Sequence, residues 1–348
     1  MTEMMTRIVL AQRPEGHPTP EDFRLEESPM PQPGPGEILV RVVWLTLDPY
    51  MRGRMDDAKS YATPVPIGGT MEGGTVAQVV TSDNPKFAPG DYVLTHSGWC
   101  SHAVSDGKGV RKLDPAAAPL STALGVLGMP GLTAFAGLHE HGRPKPGETL
   151  VVGAATGAVG SMVGQLAKIY GLRVVGVAGG AEKCAWAVDE LGFDACIDHR
   201  AAPDAGALRD QLATACPDGV DIYFDNVGGK TLEAVIPLMN QFGRIPVCGM
   251  ISWYDLGGLG MGEAPGPNLL PRTWRTILVK RLSVRGFIVT DHADRFRDFI
   301  SEVPEYIRDG RVKYRESVTH GLANAPSAFM ALLEGGNFGK QLVQVGAE

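Results

Sequence analysis

Residues 151–171, VVGAATGAVGSMVGQLAKIYG, join an apolar strand pattern to a helix pattern through a turn that is almost free of large side chains. Gly157 and Gly160 lie in this turn, with Ala158 and Val159 between them. Such a turn lets backbone N–H groups approach a phosphate closely, and the following helix points its positive end at the same spot. The dinucleotide-binding spacing is G-x-G-x-x-G, of which GAATGAVG keeps the final G-x-x-G. The stretch predicts a nucleotide phosphate cradle, with an ordinary strand–helix turn as the alternative.

The segments that follow this turn predict a parallel sheet. From about residue 145 to residue 290, short apolar runs alternate with helix-like segments, which is typical of a doubly wound α/β domain whose strands are buried on both faces. Helices are predicted at 158–170, 181–191 and 229–239. The predicted strands are ETLVVG, RVVGVAG, ACIDH, VDIYFDNVG, RIPVCGM and LSVRGFIV.

The two ends of the chain predict a separate β module. Residues 1 to about 115 contain β-branched runs such as EILVRVVWLTL and GGTVAQVV, separated by turn signals such as PGPGE and FAPGDYV. The last part, from about residue 302, has a helix pattern near 325–334 and a final strand pattern, KQLVQV. We expect this part to return to the β module.

Composition excludes several classes of protein. The net charge of −7 argues against a nucleic-acid surface or a polybasic membrane anchor. Residues 116–138 are uncharged and long enough to span a bilayer, but Pro119, Pro130 and four glycines favour a buried junction of short helices. The N-terminus has no apolar signal-peptide region. The five cysteines are odd in number and form no C-x-x-C pair, which favours a reduced, cytoplasmic chain.

The end of the second strand of the predicted sheet indicates which dinucleotide is bound. An NAD site usually has an acidic residue there, bound to the ribose hydroxyls. In RVVGVAGGAEK the strand instead ends at Gly179 and Gly180, and Lys183 follows closely. An open strand end next to an ammonium group accommodates a 2′-phosphate. The sequence therefore predicts NADPH, with a solvated surface lysine as the alternative role for Lys183.

Several strings in the same order resemble the zinc-independent medium-chain dehydrogenase/reductases. The resemblance is to the branch of leukotriene B4 dehydrogenase/prostaglandin reductase and plant alkenal double-bond reductases, with the bacterial NADPH-dependent curcumin reductase group closest. It covers nearly the whole chain. The strings are LTLDPYMRGRM, GMPGLTAFAGL, AATGAVGSMVGQLAKIYG, AGGAEKC, YFDNVGG, GRIPVCGMISWY, GFIV and GGNFGKQLV.

The resemblance implies two domains and a homodimer. Residues 1–128 and 302–348 would form a mostly-β GroES-like domain that carries the substrate and catalytic residues. Residues 129–301 would form a Rossmann domain that binds NADPH. The implied NADPH contacts are Gly157, Ala158, Val159 and Gly160 at the pyrophosphate, Lys183 and His199 at the adenosine phosphate, Asn226, the loop Cys248, Gly249, Met250, Ile251 and Ser252, the strand Phe287, Ile288 and Val289 at the carboxamide, and Asn337.

One of these positions departs from the family pattern. His199, in CIDHR, stands where the family has a tyrosine near the adenosine phosphate, and an imidazole can still donate a hydrogen bond there, with Arg200 assisting. Four others have simpler alternative roles. Asn226, Asn337 and Ser252 are also common turn or cap residues, and Phe287 is also a typical core residue on a strand.

The chain lacks the zinc ligands of the metal-dependent relatives. Where those proteins have a Gly-His-Glu string, this chain has Gly69, Thr70 and Met71, and no cysteine lies near Leu47 to Tyr50. We therefore predict a reaction without a metal. Adding hydride to a conjugated alkene suits this, because the charge that develops spreads onto a carbonyl oxygen.

The predicted function is an NADPH-dependent 2-alkene reductase acting on small α,β-unsaturated ketones or aldehydes. By resemblance, Tyr254, in ISWY, lies beside the nicotinamide ribose, and Tyr50, in DPYMR, lines the substrate pocket. We expect Tyr254 to donate a hydrogen bond to the enolate oxygen, directly or through the ribose 2′-hydroxyl. Rim packing is the alternative for both tyrosines. Two rival functions remain at this point: an NADPH:quinone oxidoreductase, and a non-catalytic NADPH-binding protein.

Overall fold

The structure is a computed structural model that describes residues 3–257, 262 and 266–348. Its contacts divide the chain into two compact units. The first contains the chain up to Gly125, a short segment that begins at Tyr254, and Glu316–Glu348. The second contains Val126–Trp253 and the residues up to Arg315. The boundaries of 128/129 and 301/302 given above stay a prediction.

The N-terminal part of the first unit is built from strands, as the alternating pattern predicts. One short helix, α1 (Met51–Arg54), follows the third strand. The runs of valine, isoleucine and leucine in that third strand are buried because a branched side chain packs well on a pleated surface. The strands are β1 (Met4–Leu10), β2 (Phe23–Pro29), β3 (Ile38–Thr46), β4 (Thr75–Ser82), β5 (Tyr92–Thr95), β6 (His102–Ser105) and β7 (Arg111–Leu113).

The second unit is a doubly wound α/β domain. Its six described strands are all parallel and have the spatial order β10-β9-β8-β11-β12-β13, so the order reverses at β8. This is the dinucleotide-binding arrangement, and the α/β prediction is confirmed. The strands are β8 (Thr149–Gly153), β9 (Arg173–Ala178), β10 (Ala195–Asp198), β11 (Val220–Phe224), β12 (Met239–Val247) and β13 (Ser283–Gly286).

Helices cover both faces of this sheet, and two apolar clusters lie between the helices and the strands. The predicted helix at 229–239 ends at Val235, because Pro237 lacks the N–H that an α-helix needs, and Ile236–Leu238 forms a 3-10 turn. The helices are α2 (Met129–Ala136), α3 (Gly160–Ile169), α4 (Ala181–Asp189), α5 (Ala205–Ala215), α6 (Gly229–Val235), α7 (Leu270–Lys280) and α8 (Phe296–Arg308).

The C-terminal segment returns to the first unit. It contains β14 (Glu316–His320), α9 (Ala325–Leu333) and β15 (Lys340–Gln344). β15 pairs antiparallel with β3, giving a sheet of order β14-β15-β3-β4-β5-β7 with β6 beside β3. Phe23 stacks on Trp99 with their ring centroids 5.7 Å apart, and Phe329 of α9 meets both rings edge-on. These rings form the centre of this unit's main core.

Residues 116–138 form short helices, as the prolines and glycines predict. A 3-10 helix covers Leu120–Leu124, and α2 begins at Met129 with Pro130 in its first turn. A proline in that position removes no helical hydrogen bond. Across the part of the chain that the structure describes, no helix has the length and apolar character needed to cross a membrane.

The prediction for the last strand of the parallel sheet is wrong in one respect. LSVRGFIV was expected to be buried on both faces, but all four residues of β13 are exposed. The reason is position, because β13 is the edge strand of the sheet. The strand also ends at Gly286, so Phe287 and Ile288 follow it and Val289 begins a 3-10 turn.

Candidate functional site

The glycine turn between β8 and α3 is shaped by close backbone approaches. Ala154 has a φ of +50°, the left-handed region, and this turns the chain sharply after β8. The Gly157 N–H donates to the Ala154 carbonyl at 2.9 Å. A Cβ on Gly160 would collide with that same carbonyl oxygen, so position 160 requires glycine. A Cβ on Gly157 would lie 3.2 Å from it, which is tight but much less severe.

The helix that leaves this turn points its N-terminus at it. This helix begins at Gly160, and the Ser161 N–H donates back to the Gly157 carbonyl at 3.0 Å. The first N–H groups of an α-helix have no partner inside the helix. Val159 stands at the N-cap position, and its side chain cannot accept a hydrogen bond from them. An anion at this position would therefore receive both the backbone donors and the helix dipole. The turn fits a pyrophosphate because Gly157 and Gly160 leave its backbone without side chains at those two positions.

Asn226 lies directly beside this turn. Its Nδ2 donates to the carbonyl oxygen of Gly153 at 2.8 Å, which joins the end of β11 to the end of β8. β8 and β11 are the two neighbouring strands at which the strand order reverses, and the crevice outside such a pair is where doubly wound proteins bind ligands. The structure thus brings the predicted Asn226 and the predicted phosphate turn to one edge of the sheet.

The loop after β12 is bonded to the loop after β11. The N–H groups of Cys248 and Gly249 donate to the Asp225 carbonyl at 2.8 and 3.1 Å, and the Ser252 hydroxyl donates to the Val227 carbonyl at 2.6 Å. Burial and the nearby Asp225 raise the pKa of Cys248 to about 12, so its sulfur stays a thiol. Met250 and Ile251 lie in the same loop. The predicted residues Cys248 to Ser252 are therefore fixed next to Asn226.

Asp225 organises this region and was missed by the sequence analysis. Its carboxylate is buried and accepts from the Tyr223 hydroxyl at 2.8 Å and from the N–H groups of Val227 and Gly228 at 2.9 and 2.8 Å. Burial raises the pKa of Asp225, and the two N–H donors oppose that shift. An Asp-Asn turn after a strand was visible in the sequence, but its partners were not.

The second predicted contact region surrounds the end of β9. A Cβ on Gly179 would lie 2.9 Å from the Nε of Arg200 and 3.1 Å from the Nε2 of His199, so both side chains lie over this glycine. Lys183 stands in the first turn of α4, just beyond it. Burial, then the nearby Arg200, lowers the pKa of Lys183. Such a cluster of donors suits a phosphate monoester.

A carboxylate does lie near this strand end, although not on β9. Asp198, the last residue of β10, accepts from the N–H groups of Gly180 and Arg200 at 2.8 and 2.9 Å. These backbone donors lower its pKa. Both donors bond to the Oδ1 atom, and this oxygen of Asp198 shapes the turn. The prediction that no carboxylate stands at the strand end is therefore correct for β9, but the neighbouring strand β10 ends in one.

Lys230 was missed by the sequence analysis and supports the same region. Its Nζ donates to the carbonyls of His199 and Ala202 at 2.7 and 2.8 Å, holding the loop after β10 against the start of α6. Burial first, and then the charges of Lys230 and Arg200, lower the pKa of His199. His199 is therefore a neutral imidazole at neutral pH that can donate one hydrogen bond. No sequence pattern pairs Lys230 with a loop thirty residues earlier.

The remaining predicted residues fall into two groups. Phe287 is buried and meets Phe224 edge-on at 6.2 Å between ring centroids, which agrees with its alternative role in the core. Ile288 and Val289 are half-buried beside it. Tyr50, Tyr254 and Asn337 belong to the first unit. In the part of the chain that the structure describes, no three His, Cys, Asp or Glu side chains cluster as metal ligands would.

Two of the first unit's predicted residues have defined surroundings. Tyr50 precedes α1, and the Arg54 guanidinium lies 5.4 Å from the centroid of its ring. Burial, with Asp48 and Glu72 nearby, raises the pKa of Tyr50, so its hydroxyl keeps its proton. Asn337 donates from Nδ2 to the Gly339 carbonyl at 2.6 Å, which is typical of a turn residue. Tyr254 lies in a 3-10 turn, Ile251–Leu256.

Comparison with known proteins agrees with this architecture. Residues 6–113 match a family model described as the N-terminal domain of oxidoreductase, and residues 158–305 match one described as zinc-binding dehydrogenase. The chain is 52% identical to the NADPH-dependent curcumin reductase of Escherichia coli K12, over 98% of this chain and 97% of the relative. It is 39% identical to a 2-alkenal reductase (NADP(+)-dependent) of Nicotiana tabacum, over 98% of both.

A solved structure gives the same result in three dimensions. CurA of Vibrio vulnificus in complex with NADPH matches with a TM-score of 0.93 and 50% identity, over 99% of this chain and all of that one. The high identity over the full length, together with the sheet order and the glycine turn, settles the family. This chain belongs to the zinc-independent medium-chain dehydrogenase/reductases, in the branch that includes the bacterial curcumin reductases and the plant 2-alkenal reductases.

Proposed function

We propose that this chain is an NADPH-dependent 2-alkene reductase that acts on small α,β-unsaturated ketones or aldehydes. The observation that carries the proposal is the phosphate cradle between β8 and α3. Its turn can form only with a glycine at position 160. The donors around Gly179 suit the extra phosphate that distinguishes NADPH from NADH. When bound, NADPH supplies hydride to the β-carbon of the substrate.

The protein's own part in the reaction is to bind, orient and stabilise charge. The negative charge that develops on the substrate lies mostly on its carbonyl oxygen, and a positioned hydroxyl donor lowers the energy of that state. We assign this donor role to Tyr254 and a substrate-binding role to Tyr50. The same proposal includes the residues that contact NADPH. They are Gly157, Ala158, Val159, Gly160, Lys183, His199, Asn226, the 248–252 loop, Phe287, Ile288, Val289 and Asn337.

A substrate panel tests the proposed function. NADPH consumption is measured with enals, enones, quinones and simple ketones, and the products are identified by mass spectrometry. Saturated carbonyl products from the enals and enones support the proposal. Hydroquinone products alone would point to a quinone reductase, and tight NADPH binding without turnover would point to a non-catalytic protein. Either outcome would overturn it.

Replacing Lys183 with alanine is expected to reduce the preference for NADPH over NADH. A charge-assisted hydrogen bond to phosphate contributes about 1.5–3 kcal/mol, so the ratio of kcat/KM values for the two coenzymes should fall about 10- to 100-fold. The matched control is Lys168→Ala, because Lys168 pairs with Asp194 at 2.8 Å on the surface of the same unit. An unchanged ratio in Lys183→Ala would remove Lys183 from the site.

We also propose that the protein works as a homodimer in the cytoplasm. Among the described residues, β13 is exposed and lies at the edge of the parallel sheet, a position that proteins normally cover. The helix before it, α7, exposes Leu270, Trp274 and Leu278, which are spaced four residues apart and so share one face. Trp274 is 67% exposed and Leu278 is 75% exposed. A second copy of the chain would cover this apolar surface.

The cysteines bear on the proposed location in the cytoplasm. All five are free thiols, which agrees with a reducing compartment.

The variant Trp274→Glu is expected to convert the dimer to a monomer. A large apolar side chain at the centre of an interface often contributes 2 kcal/mol or more, about a 30-fold change in the dimer dissociation constant, and a buried carboxylate adds a further penalty. Sedimentation velocity at micromolar concentration measures the change. Leu25→Glu, at an exposed leucine of β2, is the control. A wild-type monomer, or a variant that still dimerises, would contradict this assignment.

A further inference from the structure

We infer that Cys184 and Cys196 form a modification site: a dithiol that a small hydroperoxide oxidises to a reversible disulfide. Cys184 lies on α4, directly after Lys183, and Cys196 lies in β10. Both are free thiols. Neither residue has a role in the proposed reaction.

The sheet register places the two sulfur atoms on the same face. Cys196 is opposite Gly176 of the neighbouring strand β9, and a Cβ on Gly176 would lie 3.0 Å from the Cys196 Sγ. The thiol of Cys196 thus lies over a position that has no side chain. Val174 and Ala178, which share the face of Gly176, belong to the same apolar cluster as Cys184, and Cys196 packs against that cluster.

The two thiols also interact with each other. Each thiol is close enough to affect the ionisation of the other: Cys196 lowers the pKa of Cys184, while Cys184, together with burial, raises the pKa of Cys196. Cys184 is therefore the sulfur that ionises first. Burial raises the pKa of Cys100 and Cys248 to about 12 and that of Cys216 to about 11, so those three stay thiols. A thiolate is the nucleophile in oxidation, which selects Cys184.

The oxidation proceeds in two steps that balance. The Cys184 thiolate attacks one oxygen of hydrogen peroxide, the O–O bond breaks, and the leaving hydroxide takes up the proton that the thiol had lost, forming water and a sulfenic acid. The Cys196 sulfur then attacks the Cys184 sulfur, and the S–O bond breaks. The departing hydroxide takes the Cys196 proton and leaves as a second water. Two thiols and one peroxide give one disulfide and two waters, and a dithiol reductant reverses the change.

The crosslink would reach the coenzyme site, a step that rests on the proposed function. A disulfide ties α4, which contains Lys183, to β10, which His199 directly follows. The sulfur atoms of two free thiols must come within about 2 Å of each other to bond, so the start of α4 has to shift. We expect the oxidised protein to bind NADPH several-fold more weakly than the reduced protein.

Peptide mapping after peroxide treatment tests the crosslink. The full-length protein is treated with hydrogen peroxide, remaining thiols are blocked, and peptides are analysed without reduction. The expected product joins the peptides of Cys184 and Cys196 and is lost in both Cys184→Ser and Cys196→Ser, while the control Cys216→Ser retains it. Separate sulfinic acids on the two cysteines, or two unmodified thiols, would overturn the inference.

Calorimetric titration with NADPH on the same samples tests the link to the coenzyme. Wild type should lose affinity after peroxide and regain it after dithiothreitol, whereas Cys184→Ser should not respond to peroxide. If the crosslink forms but the affinity is unchanged, the link to the coenzyme is wrong. If the reduced protein does not bind NADPH at all, the proposed function is wrong. The peptide map then still shows whether Cys184 and Cys196 form a disulfide.

Discussion

Replacing Gly160 with alanine is expected to weaken NADPH binding by about 5- to 150-fold. The added methyl group would collide with the carbonyl oxygen of Ala154, which is backbone and can move only if the turn opens. Forcing such a group into a packed site costs about 1–3 kcal/mol, and each 1.4 kcal/mol is a tenfold change in affinity. Calorimetric titration with NADPH gives the dissociation constant directly.

Gly157→Ala is the matched control for this experiment. It adds the same methyl group to the same turn, but at 3.2 Å from the Ala154 carbonyl, where a small adjustment relieves the contact. Its loss of affinity should stay well below that of Gly160→Ala. Thermal unfolding without coenzyme separates a damaged cradle from a damaged fold. Equal NADPH affinities for Gly160→Ala and wild type would show that the turn does not contact the coenzyme.

Replacing Tyr254 with phenylalanine is expected to lower kcat for an enone about 100-fold or more. Removing one preorganised donor to a developing oxyanion typically has an effect of this size. NADPH affinity should change little, because the variant keeps the ring and removes only the hydroxyl group. Single-turnover measurements at saturating NADPH follow the hydride transfer itself and exclude effects on product release.

Tyr50→Phe provides the comparison for Tyr254→Phe. It removes the same atom from a tyrosine to which we assign substrate binding, so its effect should fall on KM for the enone and leave kcat nearly unchanged. If both variants lower kcat equally, the two hydroxyls act together on the carbonyl oxygen. If Tyr254→Phe keeps the wild-type kcat, the donor to the enolate is another group, and the assignment of Tyr254 is wrong.

Local patterns were sufficient to predict most of the second unit. The helix at α3, the strands β8 and β9 and the glycine turn depend on periodicity and on the absence of side chains, which neighbouring residues reveal. The exposure of β13 could not be predicted in this way. A short apolar run has the same composition in the middle of a sheet and at its edge, and only the strand order decides which it is.

The residues that were missed have partners far along the chain. Lys230 donates to the carbonyls of His199 and Ala202, and the Asp225 carbonyl accepts from the N–H groups of Cys248 and Gly249. Asp198 belongs to one strand and caps the turn after another. Each is a common residue type with no unusual spacing. Their roles follow from tertiary contacts, which a single sequence does not record.

The crowding above Gly179 has a consequence for altering coenzyme preference by protein engineering. The usual route to an NADH enzyme introduces an aspartate or glutamate at the end of this strand. Here even the first atom of such a side chain would meet Arg200 at 2.9 Å and His199 at 3.1 Å. A redesign that changes position 179 alone would have to displace the side chains of Arg200 and His199, so shortening Arg200 in the same step would make the needed room.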